Sequence, residues 1–381
     1  VAMACLWVSL ATLYVIVAVS GHATTITTST RVKYYNSLVE SLPSLHGKCV
    51  AITGTTSGLG YWAAIAAARK GTSCLIMLNR ESNRSVAAEE KVKRQAAPGV
   101  SVVTITCDLE NVTSVRVAAM RVNHLAAKFG GLDVLALNAG IMSMPDRRTA
   151  DGYDVMMQTN HLSHFLLTKL LMPSLHEAAT SRGEVRIVTH SSLARGTRKF
   201  FDGGGPVNAT YYVKSPPGSL GGDAYAASSE RYHQSKLANI VFAMAMHAKF
   251  KGAQGYSRFK ALAAAPGFAE TDLKIPSMID HQWIKDLIAL SAPDGSCSLL
   301  TAMFARTSNS GDFYEPELLS TGPPIKVISE GVALPPRFPR GLAGIRDQVV
   351  CDGATQSIVW DASEAGLGEK FIIGRPLAVV V

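Results

Sequence analysis

From residue 47 onward, short apolar runs rich in β-branched residues alternate with longer stretches of helical periodicity. The runs are Cys49–Thr53, Ser73–Leu78, Val102–Thr106, Leu132–Leu137, Val185–Thr189 and Lys260–Ala264. Each is nearly continuously apolar rather than alternating, as expected of strands covered on both faces. Helical stretches fall near 58–70, 82–96, 112–128, 154–179 and 225–250. Strand followed by helix, repeated along the chain, predicts right-handed βαβ units and a doubly wound parallel α/β sheet. The pattern predicts one such domain over 46–315. Two stretches break the rhythm. Residues 195–230 hold Gly203-Gly204-Gly205-Pro206, Pro216-Pro217-Gly218 and Gly221-Gly222, and read as a loop inserted ahead of a helix. Residues 316–381 read as a C-terminal extension in which Ile358-Val359-Trp360 and Leu367 mark a last helix or docking tail.

The beginning of the chain has a different pattern. Of the first 20 residues, 17 are apolar, and residues 1–30 contain no Asp, Glu, Lys or Arg. Twenty helical residues span about 30 Å, the thickness of a bilayer core. Residues 1–20 are therefore expected to anchor the protein in a membrane. A cleaved signal segment is the rival reading, because Ala18-Val19-Ser20 resembles a small-residue cleavage site. Residues 21–45 read as a linker, and its Arg31 and Lys33, followed by Lys48, favour a cytoplasmic position for the domain.

Composition narrows the class. Charged residues make up 17% of the chain, against about 25% in an ordinary soluble domain. With 47% apolar residues, intrinsic disorder is excluded. The net charge of +8 is dispersed, and no Lys/Arg run interleaves with aromatics, so no nucleic-acid partner is expected. Six scattered cysteines, without C-x-x-C pairs or a His cluster, predict reduced core thiols and no metal site.

The first strand runs into Thr53-Gly54-Thr55-Thr56-Ser57-Gly58-Leu59-Gly60 and then an Ala-rich helix. Glycines let a backbone turn tightly and approach a pyrophosphate, which sits at the helix N-terminus where free N–H groups favour anions. Gly54, Thr56, Ser57, Gly58, Leu59 and Gly60 are thus candidate cofactor contacts. The second strand ends at Asn79-Arg80, where NAD enzymes place a carboxylate on the adenosine ribose. A guanidinium there suits a 2′-phosphate, so NADP(H) is the expected cofactor. Asp108 after the third strand is expected beside the adenine. Asn138-Ala139-Gly140 after the fourth forms a small-residue floor.

Tyr232 and Lys236 stand four apart in a helical stretch and share one face. A phenol near pKa 10 is a poor acid or base at neutral pH, and a neighbouring cation stabilises its phenolate. Upstream lies Thr189-His190-Ser191-Ser192, a strand ending in hydroxyls; downstream lies Pro266-Gly267-Phe268-Ala269-Glu270-Thr271.

Taken in order with T-G-x-x-x-G-x-G and N-A-G, these motifs resemble the short-chain dehydrogenase/reductase superfamily over about residues 46–315. The resemblance implies a Rossmann-type fold. It implies Tyr232 as acid/base, and Lys236 as the residue that lowers its pKa and holds the nicotinamide ribose. Ser192 matches the hydroxyl that orients the substrate carbonyl, with Ser191 as fallback, and Asn160 the residue supporting a proton relay. Thr271 would contact the carboxamide, with Pro266 and Gly267 shaping that loop.

Asn160-His161-Leu162-Ser163-His164-Phe165 and Tyr232-His233-Gln234-Ser235-Lys236-Leu237-Ala238-Asn239 look like the retinol dehydrogenase-like branch. That branch, often membrane-anchored, implies an apolar alcohol or carbonyl substrate: a retinoid, steroid or long-chain aldehyde. It places the protein on the endoplasmic reticulum facing the cytoplasm, with organellar or lumenal placement as alternatives. A homodimer is left open. The rival functions are a nucleotide-binding structural subunit and a protochlorophyllide reductase-like enzyme. Ser163 stands where glycine is usual, and Thr189-His190 where Asn-Val is commoner. The serine-to-tyrosine interval is 40 residues, against roughly 25 in the branch. The histidines His161, His164, His190 and His233 are expected to be structural.

Overall fold

Cys49–Thr53 (β1) is buried along its whole length. Its side chains divide between two cores, Cys49 and Ala51 on one face, Val50 and Ile52 on the other. That is the period-2 geometry of a strand covered twice, and it explains the unbroken apolar run. Six further strands lie parallel: β2 (Cys74–Asn79), β3 (Ser101–Thr106), β4 (Val134–Leu137), β5 (Val185–His190), β6 (Phe259–Ala264) and β7 (Phe313–Pro316). Their spatial order is β3-β2-β1-β4-β5-β6-β7. The computed structural model describes residues 32–199, 206–269, 290–317, 322–335 and 347–374. These residues belong to one compact unit. Residues 1–20 and Thr271 lie outside the described residues.

The helices are α1 (Tyr35–Ser41), α2 (Gly58–Arg69), α3 (Asn83–Gln95), α4 (Val112–Ala127), α5 (Ser163–Arg182), α6 (Tyr225–Lys251), α7 (Cys297–Phe304) and α8 (Gly353–Leu367). Leu166, Leu171 and Leu175 of α5, Phe242 of α6 and Val115 of α4 pack on one face of the sheet. Ala63 to Ala68 of α2, Val92 of α3, Leu300 of α7 and Tyr35 of α1 pack on the other. The Ala-rich face of α2 keeps that helix close beneath the Gly-rich turn. Strand order reverses between β1 and β4, so the loops that follow them diverge and leave a crevice at their carboxyl ends. Gly54 and Asn138 both stand at that crevice.

Three features go beyond the predicted pattern. In the predicted linker, α1 is fixed by Asp294, whose carboxylate accepts from the N–H groups of Lys33, Tyr34 and Tyr35 at 2.8–2.9 Å. The sheet is not wholly parallel: β8 (Pro324–Ser329) and β9 (Val332–Ala333) add antiparallel strands beyond β7. Glu330 and Gly331, at φ 50° and 79°, form the two-residue turn between them, the left-handed geometry that matches strand twist. In α8, Trp360 packs edge-on against Phe165 of α5, and Phe371 after the helix closes the same aromatic cluster. No helix among the described residues is long and apolar enough to cross a membrane.

Candidate active site

The turn after β1 is built by close backbone approach. Gly54 has φ 72°, and a Cβ on it would lie 2.8 Å from Ala139 Cα. A Cβ on Gly60 would meet the Gly54 carbonyl at 2.2 Å and Asn138 Nδ2 at 2.3 Å. Thr53 Oγ1 accepts from the N–H groups of Asn138 and Ala139 at 2.9 Å, tying the β1 and β4 loops together. Asn138 Nδ2 donates to the Thr53 and Gly54 carbonyls. Asn79 is buried rather than facing a ribose: its Oδ1 accepts from Thr55 N at 2.7 Å and so braces the turn.

The N-terminus of α2 differs from its neighbours. Ser82 and Asn111 cap α3 and α4 with their side chains, whereas Ser57 makes no such bond at the start of α2. The first-turn N–H groups of α2 thus take no side-chain cap from Ser57. A nicotinamide dinucleotide fits this cradle of glycines and uncapped amides. Thr56 and Ser57 line the turn half-buried, and Leu59 is buried beneath it. Arg80 is 66% exposed, with Glu110 at 3.6 Å. Glu110 is held more closely by Arg147, at 2.7 Å. Asp108 accepts from Glu110 N at 3.0 Å. Pro266 and Gly267 follow β6, with Gly267 at φ 68°.

At the other side of the crevice, α6 presents Tyr232 and Lys236, both buried. Burial pushes the Tyr232 phenol up to about 12, with the hydroxyl of Ser192, just past β5, pulling the other way. Lys236 Nζ stands 5.8 Å from the centre of the Tyr232 ring and donates to the His190 carbonyl at 3.2 Å. Burial lowers it to about 8. Gly140 makes room for it, since a Cβ there would lie 2.9 Å from Nζ. Ser191, the alternative to Ser192, is committed elsewhere and donates to the Lys236 carbonyl at 2.8 Å.

Asn160 lies in a π-helical turn, Gln158–Leu162, between a short helical segment and α5. Such turns insert an extra residue and re-aim a side chain. Asn160 accepts from Ile141 N at 2.8 Å and donates to Ser235 Oγ at 2.9 Å, so it joins the β4 loop to α6. Its carbonyl faces His164 Nδ1 at 2.9 Å, and His164 Nε2 meets Thr53 Oγ1 at 3.0 Å. Burial holds His164 near 4, and His161 and His190 near 3, so all three rings are neutral. The two departures in the motif have structural uses. Ser163 donates to the Leu109 carbonyl at 2.6 Å, and the His190 ring meets Asn138 Oδ1 at 2.8 Å.

The inserted loop is held down by charge that the sequence reading missed. Asp146 Oδ2 accepts from Leu220 N and Gly222 N at 2.9 and 3.0 Å, and its Oδ1 meets Arg148 at 2.7 Å. Arg231, fully buried beside Tyr232, donates to the Gly222 and Met144 carbonyls and faces Asp154 at 3.3 Å. Beyond Ser192, buried Arg195 makes a two-pronged contact with Asp347 and a third bond to Glu315 at 2.9 Å. Nothing local marks either arginine in the sequence: Ser228, Gln234 and Ser235 share the helix face of Arg231. Beside Tyr232 stands an apolar wall of Val155 and Met156, with Ile141, Met142, Met144 and Ala194 packed against it.

Comparison with known proteins agrees with this geometry. Residues 48–201 match the family model for short chain dehydrogenases. An uncharacterized oxidoreductase of Schizosaccharomyces pombe is 33% identical over 276 residues, covering 70% of this chain and 74% of the relative. Polyprenol dehydrogenase of Homo sapiens is 32% identical, covering 61% of this chain and 63% of its own. Retinol dehydrogenase 12 of Bos taurus is 33% identical, covering 55% and 58%. The crystal structure of an uncharacterized Mycobacterium paratuberculosis protein matches with a TM-score of 0.61 and 27% identity, over 88% of this chain and 98% of that one. Ordered motifs, shared fold and relatives converge: the chain belongs to the short-chain dehydrogenase/reductase superfamily, in its retinol dehydrogenase-like branch, and is an oxidoreductase of alcohols and carbonyls.

Proposed function

We propose that the protein is an NADP(H)-dependent oxidoreductase that interconverts an alcohol and a carbonyl on an apolar substrate: a retinoid, steroid or long-chain aldehyde. The observation that carries this reading is the buried placement of Tyr232 and Lys236 on one helix face, with Lys236 Nζ 5.8 Å from the Tyr232 ring and the wall of Met142, Met144 and Met156 beside them. The relatives named for retinol and polyprenol act on apolar alcohols, which supports the substrate class.

The bound nicotinamide supplies or takes the hydride. In the reducing direction Ser192 holds the carbonyl oxygen and Tyr232 gives it the phenol proton. In the oxidising direction Tyr232 must become a phenolate, which burial opposes. The Lys236 ammonium offsets part of that cost from the same helix face. Gly54, Gly58, Gly60 and the α2 amides would hold the pyrophosphate, with Asn138, Ala139 and Gly140 beneath. Asp108 would sit by the adenine, Arg80 on the 2′-phosphate, Lys236 on the ribose, and Pro266, Gly267 and Thr271 by the carboxamide. Asn160 would keep the relay in place through Ile141 and Ser235. Residues 1–20 would hold the protein at a membrane, where such substrates reside.

The test is NADPH oxidation against retinal, ketosteroids and long-chain aldehydes, with Tyr232→Phe as control. Turnover should fall by about 10²–10⁴ in that variant. Absence of Tyr232-dependent turnover on every substrate would favour a binding subunit instead. Arg80→Asp should weaken NADPH binding by about tenfold or more with little change for NADH. Equal losses would refute the 2′-phosphate assignment.

A further inference from the structure

We infer that His161 is a positioning residue that couples the C-terminal helix α8 to Lys236 through a buried hydrogen-bond chain. The inference rests on the proposed role of Lys236 and adds what holds that side chain in place. Ser363 Oγ of α8 lies 2.8 Å from His161 Nε2. His161 Nδ1 lies 3.3 Å from Asn239 Oδ1 of α6. Asn239 Nδ2 donates to the His190 carbonyl at 3.0 Å, the same carbonyl that accepts from Lys236 Nζ. Each of these side chains is buried.

One arrangement of donors and acceptors satisfies every buried group in this hydrogen-bond chain. Asn239 gives its NH₂ to His190, so the oxygen it turns to His161 can only accept. The ring proton of His161 is therefore on Nδ1. Because burial keeps the ring neutral, Nε2 is a bare acceptor and needs a donor. Ser363 Oγ is also 2.7 Å from the Val359 carbonyl, but that carbonyl has a helical N–H of α8 as a donor, whereas Ser363 is the one partner of Nε2 among the described residues and a bare buried acceptor would be costly. The Ser363 hydroxyl proton thus goes to Nε2, and the chain closes from α8 to the lysine. Around the His161 ring stand Phe165 of α5, Phe242 of α6 and Tyr212 of the inserted loop. The charged and titratable groups facing Lys236 are His164 of α5, His190 of β5 and Tyr232 on its own helix.

His161→Phe fits the aromatic nest but deletes both polar contacts, Ser363→Ala deletes one, and Ser357→Ala on the exposed side of α8 is the control. In the full chain, kcat should fall about tenfold in the first and about threefold in the second, with KM within about twofold. His161→Gln, whose amide can donate to Asn239 and accept from Ser363, should recover most of the loss. In the cofactor-free protein, ¹⁵N spectra should show His161 with its proton on Nδ1. Titration of the Lys236 amine should move by about half a pH unit in His161→Phe, a threefold change in the ionised ratio. If His161→Phe does not fold, Ser363→Ala and the tautomer decide. An Nε2-protonated ring, or wild-type kcat with an unmoved Lys236 titration in the folded variants, would overturn the coupling. A wild type without Tyr232-dependent turnover sinks the functional reading instead, while the tautomer and the titration still test the chain.

Discussion

The two sides of the crevice are built from opposite materials. On the cofactor side, backbone meets backbone across Gly54, Gly60 and Ala139, and the braces are neutral: Thr53, Thr55, Asn79 and Asn138. On the substrate side, guanidinium and carboxylate groups are buried together, Arg148 and Arg231 with Asp146 and Asp154, and Arg195 with Glu315 and Asp347. The difference follows from what each side has to pack. A surface that takes a dinucleotide must be smooth and close, so it excludes side chains and spends glycines. The inserted loop is rich in Gly and Pro; it buries Tyr212 with Val207 and Tyr211 beside it, and its Gly-rich end is fixed by backbone groups bonded to buried charge. Burial raises the pKa of Asp154 and Glu315, so these carboxylates depend on the arginines beside them.

The strongest test of that contrast removes a charge on the substrate side. Arg195→Met leaves Glu315 and Asp347 buried without their partner and should cost about 3–5 kcal/mol in urea denaturation. Replacing all three residues with apolar ones of similar volume should recover most of the loss. A single variant that loses less than about 1 kcal/mol would mean that charge does not fasten this region. NADPH affinity should stay near wild type in the folded fraction.

The reciprocal test adds one methyl group on the cofactor side. In Gly60→Ala the new Cβ would fall 2.2 Å from the Gly54 carbonyl. The turn must open, and NADPH affinity measured by calorimetry should drop about a hundredfold, or about 2.7 kcal/mol. Unchanged affinity would show that the glycine cradle is not the dinucleotide site.

The same contrast explains what was legible in the sequence. β1 and β5 were read to within a residue, because strands buried on both faces leave unbroken apolar runs. The Gly-rich turn, Asn138-Ala139-Gly140 and the Tyr232/Lys236 pair could be read because each is local, with its spacing fixed by one turn or one helix. β8 and β9 were missed, since the turn that makes them is Glu330-Gly331, in which glutamate takes a left-handed conformation that its side chain does not advertise. Asn79 was read for what it is not, a carboxylate; that it folds back on Thr55 needed the neighbouring loop. Arg195 and Asp347 are 152 residues apart, and no periodicity links partners at that distance. The α8 contact to His161 was hidden for the same reason.

Lys236 stands where the two sides meet, and it gives the smallest and sharpest test. Its ammonium is buried against small residues, and burial alone lowers it from 10.5 to about 8. The unfolded chain therefore binds more protons than the folded protein between these two values, so folding should become more favourable as pH rises across that window. From pH 7 to pH 9 this linkage amounts to about 1 kcal/mol. Lys236→Met removes the group, so the variant should be more stable than wild type at pH 7, with its advantage shrinking by that amount at pH 9. Paired urea melts at the two pH values measure it. A difference that does not change with pH would mean the lysine is solvated or ion-paired in solution. The cofactor side would then carry charge fastening of its own, and the contrast between the two sides would fail at its seam.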